Sequence, residues 1–468
     1  MRYVSTRGEA APRGFEDVLL AGLAEDGGLF MPESWPKLSQ AEWRALRGLP
    51  YAELSARLIH RFTGDAFAFE TLHAMCREAY GSFRHPAVVP LVQLGPRDFA
   101  LELFHGPTLA FKDVALQLLG RMFDHVLHKR GERITIVGAT SGDTGSAAIA
   151  ACMDRAAVDI VILHPLGRTS EVQRRQMTTV LSSNVANLAI EGSFDDCQDL
   201  VKAMFVDAPF RAEMRLAAVN SINWARIAAQ IPYYAAAALA LGAPEREVAV
   251  SVPTGNFGNV LAAYAAQRMG LPIRHFIVGS NRNDILARFL HANDMSARPV
   301  EPSLSPSMDI QVSSNFERLL FGLLGDDAAA TARTMRDFRA TGRMPVPDAA
   351  WRAATAQFSG FALDDDGTLA EIRRLHEQCG YLADPHTAIG TAAARAMAPA
   401  DTGMPVIIAA TAHPAKFPDA VERATGLRPP LPPSLADLYG REERFSTLPN
   451  ELAAAEGFVR AHALRNAA

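Results

Sequence analysis

Phe104-His-Gly-Pro-Thr-Leu-Ala-Phe-Lys-Asp113 contains a single lysine, Lys112, with apolar residues on both sides of it. If this segment lies in the interior, the amine loses water and its pKa falls, which favours the neutral, nucleophilic form. Such a lysine can form an imine with a carbonyl compound. A surface lysine at the start of a helix is the common alternative, because most lysines are exposed. Other motifs in the sequence are needed to distinguish a buried, nucleophilic lysine from an exposed one.

The composition is that of an ordinary globular protein that works on small molecules. The chain has 468 residues, of which 49% are hydrophobic and 21% charged, and its formal net charge is -5. Such a length exceeds what one hydrophobic core usually supports, so we expect two or three domains. The slight negative charge argues against nucleic acid or an anionic membrane as the main partner, and no apolar run is long enough to span a bilayer.

The four cysteines, Cys76, Cys152, Cys197 and Cys379, are scattered and form no CxxC pair. This pattern fits reduced thiols in a cytosol and gives neither a disulfide framework nor a zinc site. We therefore expect a cytoplasmic protein without a bound metal. Whether it is a monomer or a homodimer stays open at this point.

Hydrophobic periodicity divides the chain into an N-terminal helical unit, an α/β region and a tail. Residues 1–95 contain helix-like runs separated by glycine and proline, with no catalytic pattern. From residue 96 to about 430, buried strands, tight turns and helices alternate, which is typical of parallel sheets covered on both faces. A Pro-rich segment at Arg428–Pro433 then leads to a short amphipathic tail, residues 431–468, whose end is expected to fray.

The α/β region is predicted to contain at least six strands and one long helix. The strands are expected at residues 134–137, 158–163, 185–190, 248–252, 273–278 and 406–410. The helix is expected from Asn223 to Leu241. The predicted fold class is therefore α/β, with two parallel-rich α/β domains and a mostly helical N-terminal domain.

The turn Gly255-Asn256-Phe257-Gly258-Asn259 follows a predicted strand and precedes a predicted helix. Small residues there let backbone N–H groups point inward at a helix N-terminus, where the helix dipole favours negative charge. The turn is thus predicted to hold a phosphate. A tight turn without a ligand is the alternative, because glycine also serves geometry alone.

A second glycine-rich turn runs from Gly138 to Gly145. Its glycine spacing is not that of a dinucleotide fingerprint, and no ribose-binding acid ends the next strand, so an NAD-dependent oxidoreductase is disfavoured. The hydroxyls and amides of Thr140, Ser141 and Thr144 suit a carboxylate instead. Plain helix capping is the alternative.

Six motifs in order along the chain resemble those of the threonine synthase family. They are the Lys112 stretch, Thr140–Gly145, Asn220–Arg226, Pro253–Asn259, Asp384–Thr387 and Thr411–Lys416, and Asp26–Pro32 adds an N-terminal match. Together they span nearly the whole chain and match the longer bacterial and fungal form of the family. The resemblance implies the fold type II architecture of pyridoxal 5'-phosphate (PLP) enzymes and the activity of a PLP-dependent carbon–oxygen lyase acting on phosphate.

The resemblance also implies how the cofactor, PLP, would be bound. In this family the lysine of the Phe-Lys-Asp motif holds PLP covalently, so Lys112 would be the catalytic lysine. The turn from Gly255 to Asn259 would cradle the cofactor phosphate. Thr411 would face the pyridine nitrogen, although a lone threonine after a strand is usually structural. Asp143 would lie near the phenolic oxygen, where many relatives in the wider superfamily have asparagine.

The implied substrate is O-phospho-L-homoserine, which would react with water to give L-threonine and phosphate in threonine biosynthesis. Thr140, Ser141 and Thr144 would take its carboxylate. Arg226 is the candidate for its γ-phosphate, because a guanidinium can pair with phosphate through two parallel hydrogen bonds. Asn223 would assist Arg226.

A further polar cluster, Ser313, Ser314, Asn315 and Arg318, could reach the same site. Helix capping explains Ser314 and Asn315 nearly as well. A smaller part of the α/β region, within residues 115–225, is expected to close over the substrate, because water has to be excluded until elimination is complete.

Three histidines lie inside the motifs, namely His105, His386 and His413, and such residues are more often structural than catalytic. Two other functions stay open. A PLP-dependent serine or threonine dehydratase would need neither Arg226 nor a second anion site. A non-catalytic threonine-synthase-like protein would keep the fold without turnover.

Overall fold

Two parallel-rich sheets lie at the centre of the protein in the computed structural model, which describes residues 1–399 and 403–467. The strands of this part of the chain are β1 Tyr3–Ser5, β2 Phe30–Pro32, β3 Leu91–Gln93, β4 Asp98–Glu102, β5 Ile134–Ala139, β6 Val158–Pro165, β7 Val185–Glu191, β8 Leu216–Ala217, β9 Val248–Pro253, β10 Ile273–Ser280, β11 Phe358–Ala362, β12 Val406–Ala410 and β13 Ser446–Pro449.

Helices surround both sheets. In the same described residues they are α1 Phe15–Ala21, α2 Gln40–Ala45, α3 Tyr51–Thr63, α4 Phe69–Tyr80, α5 Lys112–Arg130, α6 Asp143–Cys152, α7 Glu171–Thr178, α8 Phe194–Val206, α9 Ala208–Met214, α10 Trp224–Ala228, α11 Ile231–Ala240, α12 Gly258–Arg268, α13 Ile285–Ala292, α14 Phe316–Leu323, α15 Ala328–Thr341, α16 Asp348–Thr355, α17 Asp365–Cys379, α18 Pro385–Met397, α19 Pro418–Thr425 and α20 Leu452–Ala467.

The larger sheet has the strand order β11-β10-β9-β12-β4-β3, and its strands are parallel except for the β3/β4 pair. The carboxyl ends of parallel strands meet at one edge, so the turn after β9 lies beside the segment after β12. Thr411 follows β12, and its carbonyl accepts a 2.8 Å hydrogen bond from the N–H of Phe111. This contact places Lys112, the first residue of α5, at that edge.

The smaller sheet has the order β13-β7-β6-β5-β8 with parallel pairing throughout. Strands β5 to β8 fall within residues 115–225, where the smaller unit was expected. Its closure over a substrate stays a prediction. Helix α6 begins at Asp143, shortly after β5 ends at Ala139, so the position of this carboxylate is set by the smaller sheet.

The C-terminal segment belongs to this smaller sheet and is not a separate tail. Strand β13 pairs with β7, Thr447 lying opposite Ala189. Ala455 and Val459, four residues apart on α20, are fully buried in an apolar cluster with residues of β7 and α8. The Pro-rich composition of Arg428–Pro433 suggested a linker to a separate tail, because neither the pairing of so short a strand nor a two-residue apolar stripe is visible locally.

The predicted strands agree with the structure, and the predicted long helix does not. All six strands are present, and five extend one or two residues further than predicted. The helix expected from Asn223 to Leu241 is two helices, α10 and α11. Pro232 lies in the first turn of α11, where it lacks an N–H and its ring excludes the carbonyl of Ala228 from a continuous helix.

The N-terminal unit is mostly helical, as predicted, but it also contains an antiparallel ribbon of β1 and β2. Strands of three residues are too short to show a period of two, so the sequence did not reveal them. The unit shares one continuous apolar core with the α/β region, and the ring of Tyr3 lies 6.1 Å from that of Trp224. Strand β3 already belongs to the larger sheet, which places the structural boundary before Leu91.

The four cysteines are free thiols. Cys76, Cys152 and Cys197 are buried, and burial raises the pKa of each to about 12. These three are protonated and unreactive near neutral pH, as expected of core residues. Among the residues described, none of the helices combines the length and apolarity that crossing a bilayer requires.

Replacing Val459 by alanine should destabilise the smaller sheet by about 2 kcal/mol, because a fully buried side chain would leave a cavity between α20 and the sheet. Urea denaturation followed by circular dichroism measures this change. The control is Ala453→Ser on the exposed face of α20, which should cost less than about 0.5 kcal/mol. Equal midpoints for the Val459 variant and the unsubstituted protein would contradict the packing of α20.

Candidate active site

The amine of Lys112 is buried where the two sheets meet. Its Nζ lies 3.2 Å from Oγ of Ser307 and 3.5 Å from Oδ2 of Asp143. Burial lowers the pKa of Lys112 to about 8. The carboxylate of Asp143 opposes this lowering of the pKa, whereas the charges of Lys416 and Arg226 add to it. About one tenth of the amine is therefore neutral at pH 7, so the buried alternative holds for this lysine.

The turn before Lys112 is fixed by its own buried carboxylate. Asp113 accepts hydrogen bonds from the N–H of Thr108 at 2.8 Å and from its hydroxyl at 2.6 Å. A Cβ on Gly106 would lie only 2.4 Å from Cβ of Asp113, so this close approach requires glycine. The sequence from Gly106 to Asp113 thus holds the start of α5 in one place.

Asp143 is the ionised partner of Lys112, and its two oxygens have different neighbours. Oδ1 accepts from Lys416 Nζ and from Gln173 Nε2, each at 2.8 Å. Oδ2 faces Lys112 and accepts from the hydroxyl of Ser307 at 3.2 Å. Burial alone would raise the pKa of Asp143, but the ammonium groups of Lys416 and Lys112 outweigh it and hold the pKa well below its usual range.

The hydroxyls at the start of α6 differ in whether they hydrogen-bond within the protein. Oγ1 of Thr140 accepts hydrogen bonds from the N–H groups of Gly142 and Gly145, each at 2.9 Å, so this oxygen caps the helix start. Ser141 and Thr144 are half-buried, and neither hydroxyl bonds to another described residue. These two are the members of the predicted carboxylate site that stay available to a ligand.

The turn after β9 has the shape of an anion cradle. Phe257 adopts a left-handed conformation with φ of +61° immediately before α12 begins at Gly258. A Cβ on Gly255 would meet a side-chain carbon of Ile310 at 2.9 Å, so the turn is closed against the segment beneath it. Asn259 accepts a 2.6 Å hydrogen bond from Tyr233, while its Nδ2 is buried without a partner among the described residues.

The polar cluster after residue 312 supports this turn from behind. The hydroxyl of Ser313 donates to the carbonyl of Gly255 at 2.7 Å, and that of Ser314 donates to the Asn256 side chain at 3.2 Å. Nδ2 of Asn315 donates to the Asn256 carbonyl at 3.1 Å. These three side chains position the turn, and their expected contact with the substrate stays a prediction.

The guanidinium of Arg318 also hydrogen-bonds to groups of the protein. Its Nε donates to the carbonyl of Phe30 at 3.0 Å and its Nη2 to that of Ile222 at 2.6 Å, while Nη1 holds the side chain of Asn315. The side chain is fully buried, and burial lowers the pKa of its guanidinium to about 9. Arg318 therefore links the N-terminal unit to the support of the turn, and its expected contact with the substrate stays a prediction.

Arg226 is a buried cation without a carboxylate partner in the described part of the chain. Its Nη1 donates to the carbonyl of Val219 at 2.8 Å, its Nε is buried without a partner, and no described carboxylate forms an ion pair with it. Burial lowers the pKa of its guanidinium to about 10, so it remains positively charged. Asn223 caps α10 by accepting from Ala225 at 3.0 Å and donates to the Leu19 carbonyl at 2.8 Å. Its amide positions α10, and its expected contribution to substrate binding stays a prediction.

Thr411 is buried, and its hydroxyl makes no hydrogen bond to another described residue. Its N–H donates to Thr387 at 3.2 Å, which fixes the backbone. Among the motif histidines, His386 pairs through Nδ1 with Asp384 at 2.7 Å. Burial lowers the pKa of His413 to about 4, so this ring is neutral near pH 7.

Comparison with known proteins agrees with this geometry. Residues 2–80 match the family described as "Threonine synthase N terminus", residues 90–344 "Pyridoxal-phosphate dependent enzyme" and residues 387–459 "Threonine synthase, C-terminal". A threonine synthase of Pseudomonas aeruginosa is 55% identical, over 99% of both chains.

The chain belongs to the threonine synthase family.

Solved structures of the family superimpose closely. The PLP-bound threonine synthase of Brucella melitensis gives a TM-score of 0.97 at 54% identity, and the yeast enzyme gives 0.94 at 36%, each covering 99% of both chains. This threonine synthase family member is therefore a PLP-dependent lyase with the fold type II architecture.

The residues present fit PLP. A buried amine of lowered pKa can bond to an aldehyde carbon, and the turn at Gly255 leaves no room for a side chain. The unpartnered Nδ2 of Asn259 and the start of α12 offer N–H donors of the kind that bind phosphate. The buried hydroxyl of Thr411 is available as a partner for a ring nitrogen.

Three polar side chains of this site were not assigned from the sequence. Lys416 lies in the Thr411–Lys416 motif, but the sequence did not indicate that its amine pairs with Asp143. Gln173 and Ser307 reach Asp143 from elements 30 and 164 residues away in the chain. No local pattern marks such long-range contacts, so only the folded chain reveals them.

Replacing Arg318 by methionine should destabilise the fold by about 3 kcal/mol, because the carbonyls of Phe30 and Ile222 would lose buried donors. Equilibrium unfolding in urea measures the change. Arg336→Met, at an exposed position on α15, is the matched control and should change stability by less than about 0.5 kcal/mol. A substrate ligand without a structural role would leave the unfolding midpoint unaltered.

Proposed function

We propose that this protein converts O-phospho-L-homoserine and water to L-threonine and inorganic phosphate, with Lys112 as the residue that holds PLP. The observation that carries the proposal is the buried guanidinium of Arg226, which has no counter-charge among the described residues and whose charge lowers the pKa of Lys112. An uncompensated buried charge is costly, so an anionic ligand is the expected partner.

Arg226 supplies the phosphate subsite. Its buried Nε has no protein partner, so this N–H is available to a phosphate oxygen. A guanidinium forms strong, charge-assisted pairs with phosphate, often through two N–H groups at once. Asn223 contributes by holding the start of α10, on which Arg226 lies. The substrate is thus an amino acid that carries a phosphate, which a simple hydroxy-amino acid does not.

Proton transfer falls to the amine of Lys112. When bound, PLP supplies an electron sink that stabilises negative charge on neighbouring carbon atoms of an amino acid. With a pKa of about 8, the amine of Lys112 can both accept and give up a proton near neutral pH. Asp143 stays ionised beside it, and Ser307 donates a hydrogen bond to the same carboxylate oxygen.

The carboxylate of the substrate is assigned to the turn before α6. The free hydroxyls of Ser141 and Thr144 and the first N–H groups of α6 are the donors, while Thr140 keeps the turn in shape. Because this turn belongs to the smaller sheet, binding there would draw the sheet towards Lys112 and exclude water. The free thiols support a cytoplasmic location for this reaction.

Reduction of the PLP-loaded protein with borohydride should place the pyridoxyl group on Lys112, as located by peptide mass spectrometry. Lys112→Ala should lose phosphate release from O-phospho-L-homoserine by at least about 1,000-fold, because the site would lose the amine that bonds to PLP. Lys37→Ala, which changes an exposed lysine, is the control and should keep full activity. A pyridoxyl group on another lysine would overturn the assignment.

Arg226→Met should reduce phosphate release by about 100-fold, since a buried charged contact to the substrate would be lost. PLP loading, measured by visible absorbance, should stay normal because, among the described residues, no hydrogen bond joins the Arg226 side chain to the Gly255 turn. Arg339→Met, on the exposed face of α15, should behave as the unsubstituted protein. Release of ammonia from serine or threonine by the unsubstituted protein, with no phosphate release from O-phospho-L-homoserine, would instead indicate a dehydratase.

A further inference from the structure

Lys416 is a fully buried lysine that the proposed reaction does not use. It lies in a short 3-10 turn, Pro414–Lys416, shortly after β12. Its Nζ donates to Oδ1 of Asp143 and to the carbonyl of Thr108, at 2.8 Å and 2.7 Å. Complete burial of an ammonium group is costly unless its partners are well placed, so these two contacts define what the residue does.

The amine of Lys416 joins three parts of the site. Its own turn follows the strand of the larger sheet that ends near Thr411, and Asp143 begins the helix behind the first strand of the smaller sheet. Thr108 belongs to the turn that leads into Lys112, and that turn is closed by Asp113. One cation therefore fixes the two sheets and the cofactor lysine relative to one another.

The two oxygens of the Asp143 carboxylate are used differently. Oδ1 receives Lys416 and Gln173, while Oδ2 is left to Lys112 and Ser307. We propose that Lys416 is a positioning residue: its ammonium group holds Asp143 by one oxygen, so that the other faces the amine of Lys112, and it repels a second positive charge on that amine. This inference rests on the proposed role of Lys112 as the residue that holds PLP.

The charges around this group set the direction of the effect. Lys112 faces Asp143 and also interacts electrostatically with Lys416 and Arg226. Asp143 in turn interacts electrostatically with His386. Without the positive charge at Lys416, a protonated amine at Lys112 meets less repulsion, while Gln173 and Ser307 still hold the Asp143 carboxylate beside it. The pKa of Lys112 should therefore rise above about 8.

The test is competitive acetylation of the full-length protein freed of PLP, with acetic anhydride across pH 6–10 and mass spectrometry to read each lysine. Lys416→Met should raise the labelling midpoint of Lys112 by about one pH unit, which lowers its labelling at pH 7 by about tenfold. The rate reached at high pH should not change, because only the protonation equilibrium moves. A loss of structure would alter that rate instead.

Arg7→Met is the matched control, because it removes a largely buried cation that pairs with Glu317 at 2.8 Å in another part of the molecule. It should leave the Lys112 midpoint in place. An unshifted midpoint in Lys416→Met, or an equal shift in Arg7→Met, would overturn the proposal.

Two further measurements keep the test decisive if Lys416→Met is insoluble. Lys416→Gln keeps a donor for Thr108 and should give the same upward shift of the Lys112 midpoint. In the unsubstituted protein, Lys416 itself should resist acetylation while Lys112 reacts, and ready labelling of Lys416 would count against its burial in an ion pair. Because PLP is absent, these results are independent of borohydride mapping, so failure of either proposal can be recognised separately.

Discussion

The removal of one amine from water is the constraint on which the site depends. Lys112 can lie in the interior only because Asp143 stands beside it, and Asp143 can remain ionised there only because two ammonium groups face it. The members of this cluster come from the start of α5, from the start of α6 beside the smaller sheet and from the segment after the larger sheet's strand β12. Correct placement of a few charges therefore requires that both sheets dock in a single arrangement.

The N-terminal unit takes part in this arrangement without contributing to the chemistry. Its carbonyl at Phe30 holds Arg318, which holds Asn315, and Asn315 supports the turn at Asn256. A second tether runs from the carbonyl of Leu19 to Asn223, at the start of the helix that carries Arg226. Both proposed anion sites are thus braced by the same unit, which explains why a region without catalytic motifs shares the main apolar core.

Sequence alone predicted the features whose signals are local. Buried strands, glycine turns and the Lys112 motif can each be recognised within about ten residues of sequence. The ordered motifs together identified the family. Pro232 is local too, yet a long apolar run concealed the break it causes. The pairing of Asp143 with Lys416, Gln173 and Ser307 could not be predicted, since each contact joins segments far apart in the chain. The contacts of Arg318 and Asn223 with backbone carbonyls could not be predicted for the same reason.

The pairing of β13 with β7 has a consequence for how the protein avoids association with other chains. Until β13 docks, β7 presents a row of unpaired backbone groups at the margin of the smaller sheet, next to an apolar surface that α20 also covers. An open edge of this kind is a template for aggregation. The partners lie more than 200 residues apart, so the loop between them closes slowly and the edge stays open during folding. By pairing with β7, strand β13 therefore protects this edge of the smaller sheet from pairing with another chain.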